Sequence, residues 1–206
     1  YDFWKPLDEE YPIVNGHYSN QSYLDAMKEC YAETFPSPSS ALLFHTPYPK
    51  LVYHAYNQLA EIKNFSKNDG ATFKKQTDPS LAYSRRVGNI YTGSLWLSLA
   101  CMLGSNNAHG SPDDRWSDCW LYSYGSGMGA SLMHGVFAEL PHELLSHLNL
   151  WEFLNTRDMI DVSTYEGLHN GSLAGRSGNS AVFGYDSVRD GKRVYKHFSS
   201  GNNYCD

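Results

Sequence analysis

Ala41-Leu42-Leu43-Phe44-His45-Thr46-Pro47-Tyr48-Pro49-Lys50 is a short apolar run that ends on a histidine and two prolines. The run reads as a buried strand, and the residues after the prolines have helical spacing, so His45 falls at a strand-to-helix junction. Pro47 and Pro49 fix the backbone dihedrals, and Pro49 suits a first helical turn. The amides of that turn, with Lys50 beside them, form a place where phosphate or another anion can be received. The pattern is a titratable imidazole next to an anion site. A histidine at a strand end is also compatible with a plain hydrogen-bonded core or surface residue.

Length and composition narrow the classes. A chain of 206 residues can form one domain or one half of a larger pseudo-symmetric one. With 16 tyrosines and only 18% charged residues it reads as a globular protein with extensive buried surface. A formal charge of -6 without blocks of like charge argues against nucleic acid or an anionic membrane as partner. No apolar run reaches the length of a membrane span, and no secretory leader pattern opens the chain, whose first residue is Tyr1. Cys30, Cys101, Cys119 and Cys205 have no metal or redox spacing and read as buried free thiols.

Working outward from the junction, residues 1–18 read as an irregular, proline-punctuated surface segment. Tyr23, Ala26, Met27, Cys30 and Tyr31 recur at three-and-four spacing and predict an amphipathic helix over 19–35 with Ser19 as N-cap. Leu51, Val52, Ala55, Tyr56 and Leu59 form the buried stripe of the helix after His45, and residues 63–80 read as a polar surface loop. Residues 94–103 are apolar all round except for Ser94 and Ser98, which predicts a central buried helix. A loop over 104–118 leads to a strand over 120–124, a tight turn at Gly125-Ser126-Gly127 and a second strand over 128–137. His142 and His147, five apart on a solvated helix, lie about 140° out of phase, so no shared metal is expected. A hairpin around Asp190-Gly191 closes the chain.

Four separated motifs now stand in one order: Tyr1-Asp2-Phe3-Trp4-Lys5-Pro6 with Glu10-Tyr11-Pro12-Ile13-Val14-Asn15-Gly16, then His45-Thr46-Pro47-Tyr48-Pro49-Lys50, then Val87-Gly88-Asn89-Ile90-Tyr91-Thr92-Gly93-Ser94-Leu95, then Tyr122-Ser123-Tyr124-Gly125-Ser126-Gly127. Together they resemble the C-terminal half of 3-hydroxy-3-methylglutaryl-CoA synthase. The resemblance implies an α/β, thiolase-like layered fold, a mixed β-sheet packed by helices, with residues 1–206 as one C-terminal domain. It implies a Claisen-type condensation of acetyl-CoA with acetoacetyl-CoA, using CoA thioesters as substrates and no cofactor or metal. His45 and Asp2 would be the catalytic residues of this half, His45 at the thioester oxygen and Asp2 ordering the centre. Tyr23, Lys50, Asn89 and Ser126 would be substrate-binding.

The nucleophilic cysteine and basic glutamate belong to the family's N-terminal half, which precedes Tyr1. The expected partner is therefore that half, in a homodimer of completed units, and acyltransferase activity is expected only with it. The second family lysine of the CoA phosphate site is His54 here, a loss of one charge-assisted contact that costs about 1–3 kcal/mol. Two alternatives follow: a non-catalytic structural or acyl-CoA-binding relative, and a synthase that takes a carrier-protein thioester in polyketide branching. The compartment expected is cytoplasmic, with mitochondrial as an alternative, and with secretion as another given the sequons at Asn20, Asn64 and Asn170.

Overall fold

The computed structural model describes residues 3–64, 70–108, 116–125, 127–137, 150–170, 182–189 and 192–198. It divides into two units, Tyr1–Thr156 and Arg157–Asp206. In the first, the opening segment is tied by a two-strand ladder, β1 (Phe3–Trp4) antiparallel to β2 (Ile13–Val14). Helix α1 (Gly16–Tyr31) follows. It starts earlier than the expected Ser19, because the Asn15 side chain accepts the Tyr18 N–H at 3.1 Å and so caps the first turn. It also stops short of residue 35, and Phe35 is exposed.

Strand β3 (Ser40–Phe44) is buried along its whole length, and α2 (Pro49–Ile62) begins on Pro49 as the sequence suggests. The stretch after α2 corrects the loop expected over 63–80. It carries α3 (Gly70–Gln76), a 3-10 turn (Asp78–Leu81) and then α4 (Ser84–Val87). The polar composition hides two anchors. Phe73 is buried edge-on against Tyr56, with ring centroids 5.1 Å apart. Gln76, 1% exposed, accepts the Tyr56 hydroxyl at 2.8 Å and donates to the carbonyls of Ser37, Pro38 and Ser40. A buried amide with every group satisfied fastens this segment to the start of β3.

Helix α5 (Gly93–Ala108) extends past the expected end at residue 103, and it is not wholly buried, since Trp96 is half exposed. Strand β4 (Asp118–Gly125) lies parallel to β3, and β5 (Gly129–Val136) returns antiparallel to β4, giving a mixed sheet of order β3-β4-β5. Side-chain alternation sorts this sheet into two layers. Leu42, Phe44, Tyr122 and Tyr124 pack with Tyr23, Met27 and Tyr31 of α1 and with Val52 and Tyr56 of α2. Ala41, Leu43, Cys119 and Leu121 pack with Leu95 and Met102 of α5. A strand apolar on both faces needs such covering from both sides, and each large side chain so buried contributes about 1.5–3 kcal/mol relative to exposure. A short helix, α6 (Trp151–Asn155), completes this unit, burying Leu154.

The second unit contains α7 (Val162–His169), capped by the Asp161 carboxylate on the Thr164 N–H at 2.7 Å, and the hairpin of β6 (Val182–Arg189) with β7 (Lys192–Phe198). The hairpin was legible in the sequence. The helix expected around His142 and His147 lies outside the described residues. Among the described residues no helix is long and apolar enough to cross a membrane, and no three metal-ligating side chains cluster.

Candidate functional site

His45 is the residue that follows β3, and the sheet holds it from several directions. Its N–H donates to the Tyr122 carbonyl at 2.7 Å, continuing the β3–β4 ladder one residue beyond the strand. Its carbonyl accepts the Tyr23 hydroxyl at 2.9 Å, and the Tyr122 hydroxyl in turn donates to the Tyr23 carbonyl at 2.8 Å. The Tyr23 ring meets Tyr122 and Tyr124 edge-on, at centroid distances of 5.2 and 5.4 Å. The imidazole Nδ1 lies 3.2 Å from the Ser94 hydroxyl, which also accepts the Thr46 N–H at 2.9 Å. Thus α1, β4 and α5 all converge on one residue.

The residue is 8% exposed, and burial holds its pKa below the ordinary histidine value. A neutral imidazole at neutral pH can donate from one nitrogen and accept at the other. Nε2 has no hydrogen-bond partner among the described residues, and His45 lines a cleft of about 410 Å³. Tyr23, Tyr48, Leu51, Asn89, Tyr91 and Tyr124 line it with His45. The tyrosines give it aromatic walls, and Ser19, Asn20, Asn89 and Thr92 add polar groups, a mixture suited to a small-molecule site.

One wall is built from a strained turn. Gly88 has φ +84° and Tyr91 has φ +53°, left-handed values that cost a bulky residue about 1–3 kcal/mol. The Asn89 side-chain oxygen accepts the Tyr91 N–H at 2.8 Å and holds that turn, leaving the Asn89 amide hydrogens for the cleft.

The residues singled out from sequence are therefore distributed unevenly. His45, Tyr23 and Asn89 meet at the cleft. Tyr23 contributes its ring there, while its hydroxyl is committed to the His45 carbonyl. Asp2 and Ser126 lie outside the described residues. Lys50 and His54 stand exposed on α2, and neither lines the cleft. The helix has no side-chain cap at its N-terminus. Ser94 carries the site without having been assigned a role, although one signal was available: it is a serine at the head of an otherwise apolar helix. A fully buried hydroxyl in such a place needs a partner.

None of the described cysteines is a nucleophile in waiting. Cys101 and Cys119 are buried and Cys30 is partly so, and burial pushes all three thiols up, Cys119 to about 11. All three remain thiols at neutral pH.

The family model described as hydroxymethylglutaryl-coenzyme A synthase C terminal matches residues 1–40 and 60–167. A hydroxymethylglutaryl-CoA synthase from Enterococcus faecalis is 33% identical over 175 residues, covering 82% of this chain and 44% of the relative. The enzyme of that name from Saccharomyces cerevisiae is 30% identical over 218 residues, covering 81% and 44%. A mitochondrial relative from Bos taurus is 30% identical over 184 residues, covering 64% and 36%. Among solved structures, MvaS in complex with 3-hydroxy-3-methylglutaryl coenzyme A superposes with a TM-score of 0.74 at 26% identity, over 96% of this chain and 54% of that one. PksG from Bacillus subtilis reaches a TM-score of 0.77 at 20% identity, a likeness of fold. The chain spans about half the length of the curated relatives it matches.

Proposed function

The chain belongs to the hydroxymethylglutaryl-CoA synthase family, through its C-terminal domain and with the thiolase-like fold of its structural neighbours, and on that premise we propose that it forms the acetoacetyl- and CoA-binding side of a condensing active site. The observation that carries this reading is His45: a neutral, clamped imidazole whose free nitrogen opens on an aromatic cleft shared with Asn89. In that reading Nε2–H donates to the thioester oxygen of the second substrate, and the Asn89 amide supplies a neighbouring donor. The acetylated cysteine and the basic glutamate come from sequence outside these 206 residues. Asp2 orders the centre and Ser126 offers its hydroxyl to the thioester carbonyl. No cofactor or metal is required. Exposed Leu7, Tyr11, Ile13 and Val14 near the chain start, and Val136 on β5, support association with a completing half. The working unit proposed is a homodimer of completed units, in the cytoplasm.

The test is a condensation assay with acetyl-CoA and acetoacetyl-CoA on the whole natural polypeptide, or on this chain combined with its N-terminal half. Product formation that His45→Ala suppresses supports the reading. Full activity in His45→Ala sinks it.

A second reading has one observation of its own. His54 replaces a phosphate-site lysine and stands exposed beside Lys50's turn of the helix, so the nucleotide end of CoA is held weakly. A carrier-protein thioester, which has no nucleotide, would lose nothing by this. Faster condensation from a phosphopantetheinyl carrier than from CoA would favour it.

A further inference from the structure

The Ser94 hydroxyl has two hydrogen-bond contacts among the described residues, one to a backbone N–H and one to the His45 ring. Ser94 is the second residue of α5 (Gly93–Ala108) and is fully buried. Its oxygen accepts the Thr46 N–H at 2.9 Å, which leaves one hydroxyl hydrogen to place. The His45 Nδ1 is 3.2 Å away, and no other acceptor for that hydrogen stands among the described residues. A buried hydroxyl hydrogen without an acceptor is costly, so it goes to Nδ1. Nδ1 must then offer its lone pair, and the ring proton resides on Nε2.

We propose that Ser94 is a positioning residue for His45, fixing the tautomer in which Nε2–H is the donor that faces the cleft. The assignment deepens the functional reading above and rests on it for the identity of the acceptor, but the tautomer itself does not. Three features converge on it. Thr46 N–H occupies one lone pair of the Ser94 oxygen, so the hydroxyl hydrogen points away from Thr46, and Nδ1 is the acceptor within reach. The Tyr23 and Tyr122 bonds to the His45 backbone prevent the ring from turning its other nitrogen to Ser94 by moving the chain. The amino end of α5, where Ser94 sits, carries the positive end of the helix dipole and opposes a second ring proton. In the opposite tautomer Nδ1–H would point at Ser94, Nε2 would present only a lone pair to the cleft, and a developing negative oxygen there would be repelled.

The test is ¹⁵N NMR of the histidines in the whole natural polypeptide, with His45→Gln used to assign the signal. A protonated and a lone-pair ring nitrogen resonate far apart, so the tautomer is read directly. Nδ1 is expected as the lone-pair nitrogen in the unsubstituted protein, as a mixture in Ser94→Ala, and as the lone-pair nitrogen again in Ser94→Thr, which keeps the hydroxyl. In the condensation assay Ser94→Ala lowers kcat about tenfold to a hundredfold with little change in KM, and Ser94→Thr recovers most of it. A proton on Nδ1 of the unsubstituted protein overturns the proposal whatever the activity. So does a tautomer that Ser94→Ala leaves unchanged. If the tautomer behaves as stated but the unsubstituted protein condenses nothing, the positioning role stands and the functional reading falls.

Discussion

The two ends of the β3–α2 junction are built to different standards. At His45 the backbone N–H, the carbonyl and one ring nitrogen each have a partner from a different element, and the residue is nearly buried. One turn on, Lys50 and His54 project from α2 into solvent, and the helix amino end has no side-chain cap. The first region is arranged before any ligand arrives, which is how a donor acquires its directional strength. The second depends on exposed charges, whose pairs contribute about 0.2–1 kcal/mol and weaken in salt. The difference teaches that this chain keeps its precision for the imidazole at the cleft, which in the proposed function is the reacting end of a thioester. It also lowers the cost expected from sequence for His54, since an exposed contact falls below the range for a buried one.

The largest expected effect tests the chemistry of the first region. His45→Ala should lower kcat of the completed synthase by about 10²- to 10⁴-fold, the range for loss of a general acid, while circular dichroism reports an intact fold. A loss below tenfold would erase the contrast between the two regions. Next in size is the support beneath it. Tyr23→Phe removes the donor to a buried carbonyl and should lower unfolding free energy by about 1–3 kcal/mol, read from denaturant midpoints. Lys50→Ala, changed at an exposed site, should stay within about 0.5 kcal/mol. Equal effects of the two substitutions would show that the clamp contributes nothing special.

How much of this was legible follows the same division. The strand at 41–44, the helix after Pro49, the β4–β5 hairpin and the terminal hairpin came from apolar runs and turn residues, signals that act over a few neighbours. Helix α3 was hidden because its two anchors, Phe73 and Gln76, are partnered by Tyr56 and by carbonyls near Ser40, far off in the chain. The start of α1 was misplaced because Asn15 and Ser19 are both good caps, and only the fold decides between them. Of the residues named from sequence, His45, Tyr23 and Asn89 line one cleft, whereas Tyr23's bond to the His45 carbonyl and Ser94's place beside the ring are relations between elements. A motif names residues and leaves such relations unstated.

The clamp also has a signature in pH. Burial depresses the His45 pKa in the folded chain, while the unfolded chain titrates near 6.5. The unfolded state therefore binds the proton more readily, and stability falls as pH drops through the interval between the two values. Above about pH 7 both states are neutral at His45 and the contribution is constant. Relative to His45→Gln, the unsubstituted protein should lose stability as pH falls below about 7, by at most about 1.4 kcal/mol per pH unit. Parallel stability curves for the two proteins would mean that the imidazole is not held neutral by its surroundings.

The smallest effect lies at the exposed end, and it separates the two functional readings. His54→Lys restores a second cation one turn beyond Lys50, on the same helix face. If the nucleotide end of CoA passes there, affinity for CoA should tighten about two- to fivefold at low ionic strength and relax towards the original value as salt is added. A pantetheine thioester, which has no nucleotide phosphates, should bind both proteins alike. The pair of ligands makes the result specific, because a general change in the cleft would move both. Tightening for CoA alone would show that the exposed end of α2 still contributes to CoA recognition and that His54 has weakened it. No change for either ligand would place the phosphates elsewhere, and the contrast between a rigid thioester end and a loosened nucleotide end would then have to be sought on another element.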